Sequence, residues 1–263
     1  MLVYGLNESY ADIFCFSTTR HGGRSTGKYF SFNCNHYCGD NPETVERNRK
    51  LLMEIMPCRP QILVIPHQTH STEVRNIDTC FLEADETKRK ELLEGVDAVM
   101  TNLPEVCLCV STADCIPVLC YDVRNKAIAA IHAGWRGTVA RIVEKVLQKM
   151  NTVYGTRMQD VVAVIGPGIS LQSFEVGDEV YNAFHDAGFS MELISRRYSK
   201  WHIDLWEANR QQLISAGVNE SAIEVSGICT YTNNDDFFSA RRLGIESGRI
   251  ISGIMLKNNT LTV

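Results

Sequence analysis

The sequence predicts a mixed α/β (α+β) fold in which strands adjoin strands as often as they adjoin helices. Two observations carry this. Short apolar runs of strand length alternate with amphipathic stretches of helical period. Several neighbouring strands, such as 118–121 and 126–131, have no room for a helix between them, so the sheets are mixed rather than doubly wound. The 263 residues are 44% hydrophobic, enough for one substantial core. No Pro/Gly/Ser-rich linker, low-complexity tract or fixed-period repeat divides them, so one domain over residues 1–263 is expected.

Each element has its own signal. Asn41-Pro42-Glu43 reads as an N-cap, an N1 proline and an acidic first turn. The helix that follows places Val45, Leu52, Ile55 and Met56 on one face. Asn48 falls on that face too, so its amide must find partners, in a structural network or in a site. Residues 62–65 form a buried strand that runs into Pro66-His67-Gln68-Thr69-His70. The run 83–94 mixes both charge signs and reads as a solvated helix or loop. Strands at 96–100 and 106–110 flank a Thr101-Asn102-Leu103-Pro104 turn, and 118–121 with 126–131 make a hairpin. After Gly137, Val139, Ile142, Val143, Val146, Leu147 and Met150 mark one amphipathic helix. A strand at 161–165 ends at Gly166-Pro167-Gly168. Val176, Val180, Ala183, Phe184 and Ala187 mark a helix closed by Gly188. Asp204 with Glu207 starts a helix that ends near Gly217, and strands at 223–228 and 250–255 complete the set.

Composition excludes several functions. A net charge of −5 argues against a general nucleic-acid surface. The first ten residues lack a basic start and an apolar core, and no apolar stretch approaches the roughly 20 residues of a membrane span. Ten cysteines without a Cys-x-x-Cys pair fit a reduced, cytoplasmic protein rather than a zinc ribbon. Cys107, Cys109 and Cys120 lie in apolar runs and read as small buried hydrophobes.

Cys115 differs, because Ser111-Thr112-Ala113-Asp114 breaks the apolar pattern before it. His70 and His132 occupy the same kind of boundary, where a strand end meets a loop. Imidazole and thiolate are preferred zinc ligands, and three protein ligands leave an open position for catalysis. Copper accepts the same donors. A cysteine nucleophile activated by histidine, as in a metal-free cysteine hydrolase, uses the same residue types, and residue type alone does not separate the two. Asp114 could orient a ligand or a substrate hydroxyl, and His67 could support or replace His70. Arg20, Arg49 and Arg136 are candidate anion contacts, since guanidinium forks hold phosphate; for each, a surface salt bridge is the plain alternative. Gly166-Pro167-Gly168 lacks a Walker lysine and a full dinucleotide fingerprint.

At these residues the chain resembles the YfiH/YlmD-type laccase-domain family. The resemblance rests on Gln68-Thr69-His70, on Thr112 through Val118, and on His132-Ala133-Gly134-Trp135-Arg136-Gly137. Arg20-His21-Gly22-Gly23, Phe32-Asn33, Glu46-Arg47-Asn48-Arg49, Ile165-Gly166-Pro167 and Phe237-Phe238-Ser239 extend it over nearly the whole chain. It implies a compact α-β-β-α sandwich and a zinc held by His70, Cys115 and His132. It implies phosphorolysis of adenosine, inosine and S-methyl-5′-thioadenosine, and deamination of adenosine. Asp114 or His67 would serve as general acid, and Arg20, Asn33, Asn48, Arg49 and Arg136 would contact substrate or phosphate. An older description of the family is copper-dependent polyphenol oxidation. Seven scattered histidines without a His-x-His pair are too few for a multicopper centre, which ranks oxidase chemistry lower. The expected partners are purine nucleosides and phosphate, the expected assembly a monomer or small homo-oligomer. Ser173-Phe174 and Ala240 depart from the family pattern, which bears on substrate contacts rather than on the three ligands.

Overall fold

The computed structural model describes residues 1–258. Two sheets stack face to face with helices on both outer surfaces. One sheet has five strands in the order Leu2–Val3, Ile13–Ser17, Ile250–Leu256, Val106–Thr112, Ile62–Val64. Its pairings are antiparallel except the last. The other has six, in the order Ile223–Val225, Val161–Ile165, Ile116–Asp122, Ala127–Ala133, Ala98–Thr101, Val74–Asn76. Its two edge strands run parallel to their neighbours and its inner pairings are antiparallel. A three-stranded ribbon of Glu175–Val176, Trp201–Ile203 and Ser195–Arg197 lies apart from both.

Strand alternation builds the layers. Val106, Leu108 and Val110 face the interior between the sheets, with Leu119, Tyr121, Ile128, Ala130, Val162 and Val164. The intervening Cys107 and Cys109 face outward, against Leu52 of the Pro42–Ile55 helix and Met56 at its C-cap. These thiols do the packing work of small hydrophobes, as their apolar context predicts. On the far side, Val118, Cys120, Ala129 and Ile131 meet Val143, Val146, Leu147 and Met150 of the Ile142–Tyr154 helix, with Ala208 and Leu213 of Leu205–Ala216. This is the expected α-β-β-α layering.

Local signals explain the boundaries. The Asn41 side chain accepts from the Thr44 amide at 3.0 Å, and that of Asp204 from the Glu207 amide at 2.9 Å. The hairpin holds because Asp122 Oδ1 accepts from the Arg124 and Asn125 amides, both at 3.0 Å, and so closes the turn. Some expectations are corrected. Ile55 is 50% exposed, off the buried stripe of Val45, Asn48 and Leu52. The helix after Gly137 is two pieces, Trp135–Val139 and Ile142–Tyr154. Arg141 separates them in the left-handed region at φ 61°, held by a 2.7 Å bond to the Ala187 carbonyl and by stacking over Phe189. Val176 belongs to a strand, and the helix beyond it spans Asp178–Asp186.

The chain passes from the five-stranded to the six-stranded sheet twice in its middle. Residues 65–73 make one crossing and residues 113–115 the other. Both crossings run beside the end of the Ala127–Ala133 strand.

Candidate metal and substrate site

The three candidate ligands converge at those crossings. His70 lies on the first, Cys115 on the second, and His132 at the strand end. Their donor atoms all lie within 4.8 Å of one another, with Cys115 Sγ 3.7 Å from His70 Nε2. A tetrahedral zinc with the usual Zn–N and Zn–S lengths sets an N···S separation of about 3.6 Å, so the geometry and donor set fit the ion. No other such group of three occurs among the described residues. His70 and Asp114 both adopt positive φ, 62° and 86°, a strained backbone of the kind that gathers at functional sites. Gly134 is required here: a Cβ would lie 2.8 Å from His70 Cδ2 and 3.0 Å from Cys115 Sγ.

Asp97 organises the cluster. Its carboxylate is fully buried and accepts five hydrogen bonds. Three come from the Thr69, His70 and Ser71 amides at 3.0, 3.0 and 2.8 Å. The others come from Ser71 Oγ at 2.9 Å and His132 Nδ1 at 2.7 Å. One side chain thus fixes the strained backbone of His70 and turns His132 Nε2 toward the cluster. Sequence reasoning missed it. The signal was available: an aspartate inside the buried stretch Val96-Asp97-Ala98-Val99 needs partners. Gln68 ties the first crossing to the strand that leads into the second, donating to the Ser111 carbonyl at 2.9 Å and accepting from its amide at 2.8 Å.

The electrostatics follow from burial and pairing. Burial opposes the Cys115 thiolate, but His132 and His70 more than offset it and bring the thiol down to about 6. Burial likewise opposes the His132 imidazolium, and Cys115 with Asp97 raises it to about 9. Burial also works against the Asp97 carboxylate, yet His132 and the crossing amides hold it below the usual range. Each of Cys115 and His132 therefore favours the charged form of the other.

A cavity of about 470 Å³ opens over the trio. Its walls include Tyr37, His67, Asp114, Phe174, Arg241 and Arg249. His67 stacks on Tyr37 and bonds Glu94 through Nδ1 at 2.7 Å. Both Asp114 oxygens are engaged, by Thr230 Oγ1 and by the Arg241 amide, each at 2.7 Å.

The predicted substrate contacts lie elsewhere. Arg20 donates to the Phe30 and Asn234 carbonyls and stacks on Phe238. Asn33 bonds Asp40 and the Arg249 amide. Asn48 is buried and bonds Ser25, the Asn33 carbonyl and the Arg24 amide. Arg49 donates to the Cys34 carbonyl and faces a second cavity, and exposed Arg136 stacks on Trp135. None of the five is among the cavity-lining residues; Arg241 and Arg249 are.

Comparison with known proteins places the chain. A family model described as multi-copper polyphenol oxidoreductase laccase matches residues 14–257. A Bacteroides thetaiotaomicron protein named purine nucleoside phosphorylase is 57% identical over 97% of this chain and 96% of its own. Adenosine deaminase RL5, from an unknown prokaryotic organism, is 40% identical over 95% and 96%. The solved structure of Bacillus licheniformis hypothetical protein YfiH has a TM-score of 0.88 at 30% identity, covering 95% of each chain. YlmD from Geobacillus stearothermophilus has a TM-score of 0.87 at 29% identity, covering 95% and 93%. With this site at its sheet crossings and these relatives over nearly its full length, the chain belongs to the laccase-domain family of YfiH- and YlmD-type proteins.

Proposed function

We propose that the protein is a zinc-dependent purine nucleoside enzyme. It phosphorolyses adenosine, inosine and S-methyl-5′-thioadenosine and deaminates adenosine. The observation that carries this reading is the His70–Cys115–His132 cluster beneath a cavity of nucleoside size. The names of the relatives at 57% and 40% identity support it.

His70 Nε2, Cys115 Sγ and His132 Nε2 would hold the ion, which supplies Lewis acidity at an open position. Asp97 orients two of the three donors. Asp114, with both oxygens engaged, positions the Ala240–Leu243 segment that carries Arg241. His67, tethered at Nδ1, keeps Nε2 as the nitrogen that exchanges a proton with the leaving group. In phosphorolysis a phosphate oxygen bonds C1′ as the bond to purine N9 breaks. The electron pair goes to the base, which takes a proton. In deamination water adds at C6, and the amine leaves as ammonia. The phenolic oxidase reading ranks lower, because the described residues carry one three-donor cluster rather than several.

The test is incubation of metal-defined protein with adenosine, with and without phosphate, followed by product identification. Adenine with ribose 1-phosphate marks phosphorolysis, and inosine marks deamination. Neither product from zinc-loaded protein would overturn the reading. The lowered Cys115 thiol favours one second reading, a metal-free cysteine hydrolase. Full activity after metal removal, abolished by iodoacetamide, would select it.

A further inference from the structure

We infer that Arg241 and Arg249 form the oxyanion subsite of this cavity and hold inorganic phosphate as co-substrate. The inference rests on the nucleoside reading above and places the phosphate within it. Arg241, Arg249 and Asp114 are the arginine and carboxylate groups on the cavity wall; no lysine or glutamate lines it. Asp114 accepts from Thr230 and from the backbone of Arg241, so it does not clamp either guanidinium. Among the described residues neither arginine makes an ion pair within 4 Å, and the Glu175 carboxylate, which pairs with Lys200, feels Arg241 only through its charge.

Both guanidiniums are nevertheless held in place. Arg249 donates to the backbone carbonyls of Ile245, Ser247 and Gly248. Arg241 donates to the Glu175 carbonyl at 3.1 Å and lies over the Phe174 ring, 5.6 Å from its centroid. Carbonyls fix a guanidinium without neutralising it. Each side chain keeps unused N–H donors, and a planar fork matches two oxygens of a phosphate. The protein is acidic overall, at −5, yet this wall carries two arginines against one carboxylate, Asp114, so it favours an anion at this point on the surface. The reaction needs that anion beside the nucleoside. Arg20, Arg49 and Arg136 do not line this cavity.

The test uses the zinc-loaded full chain and inorganic phosphate. Arg241→Met and Arg249→Met are compared with wild type for KM of phosphate and KM of adenosine, and phosphate binding is titrated calorimetrically. Losing one charge-assisted fork raises the phosphate KM roughly 10- to 100-fold. The adenosine KM moves less than threefold, and Arg249→Lys recovers part of the loss. Arg157→Gln, which removes a surface cation paired with Asp160, controls for net charge. Arg249 also anchors its own loop, so the exposed Arg241 keeps the inference testable if Arg249→Met misfolds. An unchanged phosphate KM in a folded Arg241 variant, or equal rises in both KM values, overturns the subsite. Wild-type protein that binds phosphate through these arginines but yields no ribose 1-phosphate overturns the phosphorolysis reading and leaves the subsite standing.

Discussion

Replacing Asp97 with asparagine keeps the volume of the side chain and removes its charge. In the folded protein Oδ2 accepts from Thr69 N, Ser71 N and Ser71 Oγ, while Oδ1 accepts from His70 N and His132 Nδ1. An amide in either orientation turns one acceptor into a donor, so at least two of these bonds become donor–donor clashes. Hydrogen bonds to a charged group contribute about 1.5–3 kcal/mol each, which puts the loss at about 3–6 kcal/mol. Burial keeps solvent from softening that loss, since Asp97 is 0% exposed and His132 4%. Metal affinity should fall as well, by roughly 10- to 100-fold, because a supporting carboxylate orients the ligand histidine. Urea unfolding of the metal-free protein gives the first number, and competition with a chelator for zinc gives the second. A variant within about 1 kcal/mol of wild type, with unchanged zinc affinity, would show that Asp97 does not organise the cluster.

Other outcomes follow from the same geometry. Gly134→Ala drives a methyl into His70 and Cys115, so zinc affinity should drop about tenfold or more while circular dichroism stays native; unchanged affinity refutes the contact. Asn48→Ala removes an amide that bonds Ser25, Asn33 and Arg24, and should cost about 2–4 kcal/mol in urea unfolding, with no effect on zinc affinity. The metal-free pair should titrate in a defined window. The Cys115 thiolate is favoured in the folded state, so its contribution to stability is lost as pH falls through about 6. The contribution of the His132 imidazolium is complete below its ordinary 6.5 and is lost as pH rises through about 9. Iodoacetamide labelling of Cys115, read by peptide mass spectrometry, should therefore reach half its maximal rate near pH 6, and a midpoint near 9 refutes the pair.

Local chemistry made much of this legible. The Asn41-Pro42 start, the 116–133 hairpin and the three-residue cluster each announce themselves through neighbouring residues. What stayed hidden depends on distant partners. Asp97 acts on residues 69–71 and 132, which meet only after both sheets form. The break at Arg141 is set by Ala187 and Phe189, just beyond the Asp178–Asp186 helix, against an unbroken apolar stripe in sequence. Motif arginines drew attention to Arg20, Arg49 and Arg136, yet carbonyl bonds and ring stacking fix all three away from the cavity lining. Arg241, two residues past the Phe237-Phe238-Ser239 motif, and Arg249 reach the cavity through the path of the chain between that motif and Ile250–Leu256.

His70 and Cys115 stand where the chain leaves one sheet for the other, and His132 ends a strand of the second. Anything gripped by all three side chains therefore rivets the two halves of the sandwich at their seam. Each tenfold of free ligand above its dissociation constant then adds about 1.4 kcal/mol against their separation. The spacing between the sheets becomes a quantity the active centre feels directly, so repacking deep in the interlayer can reach the chemistry without touching the cavity.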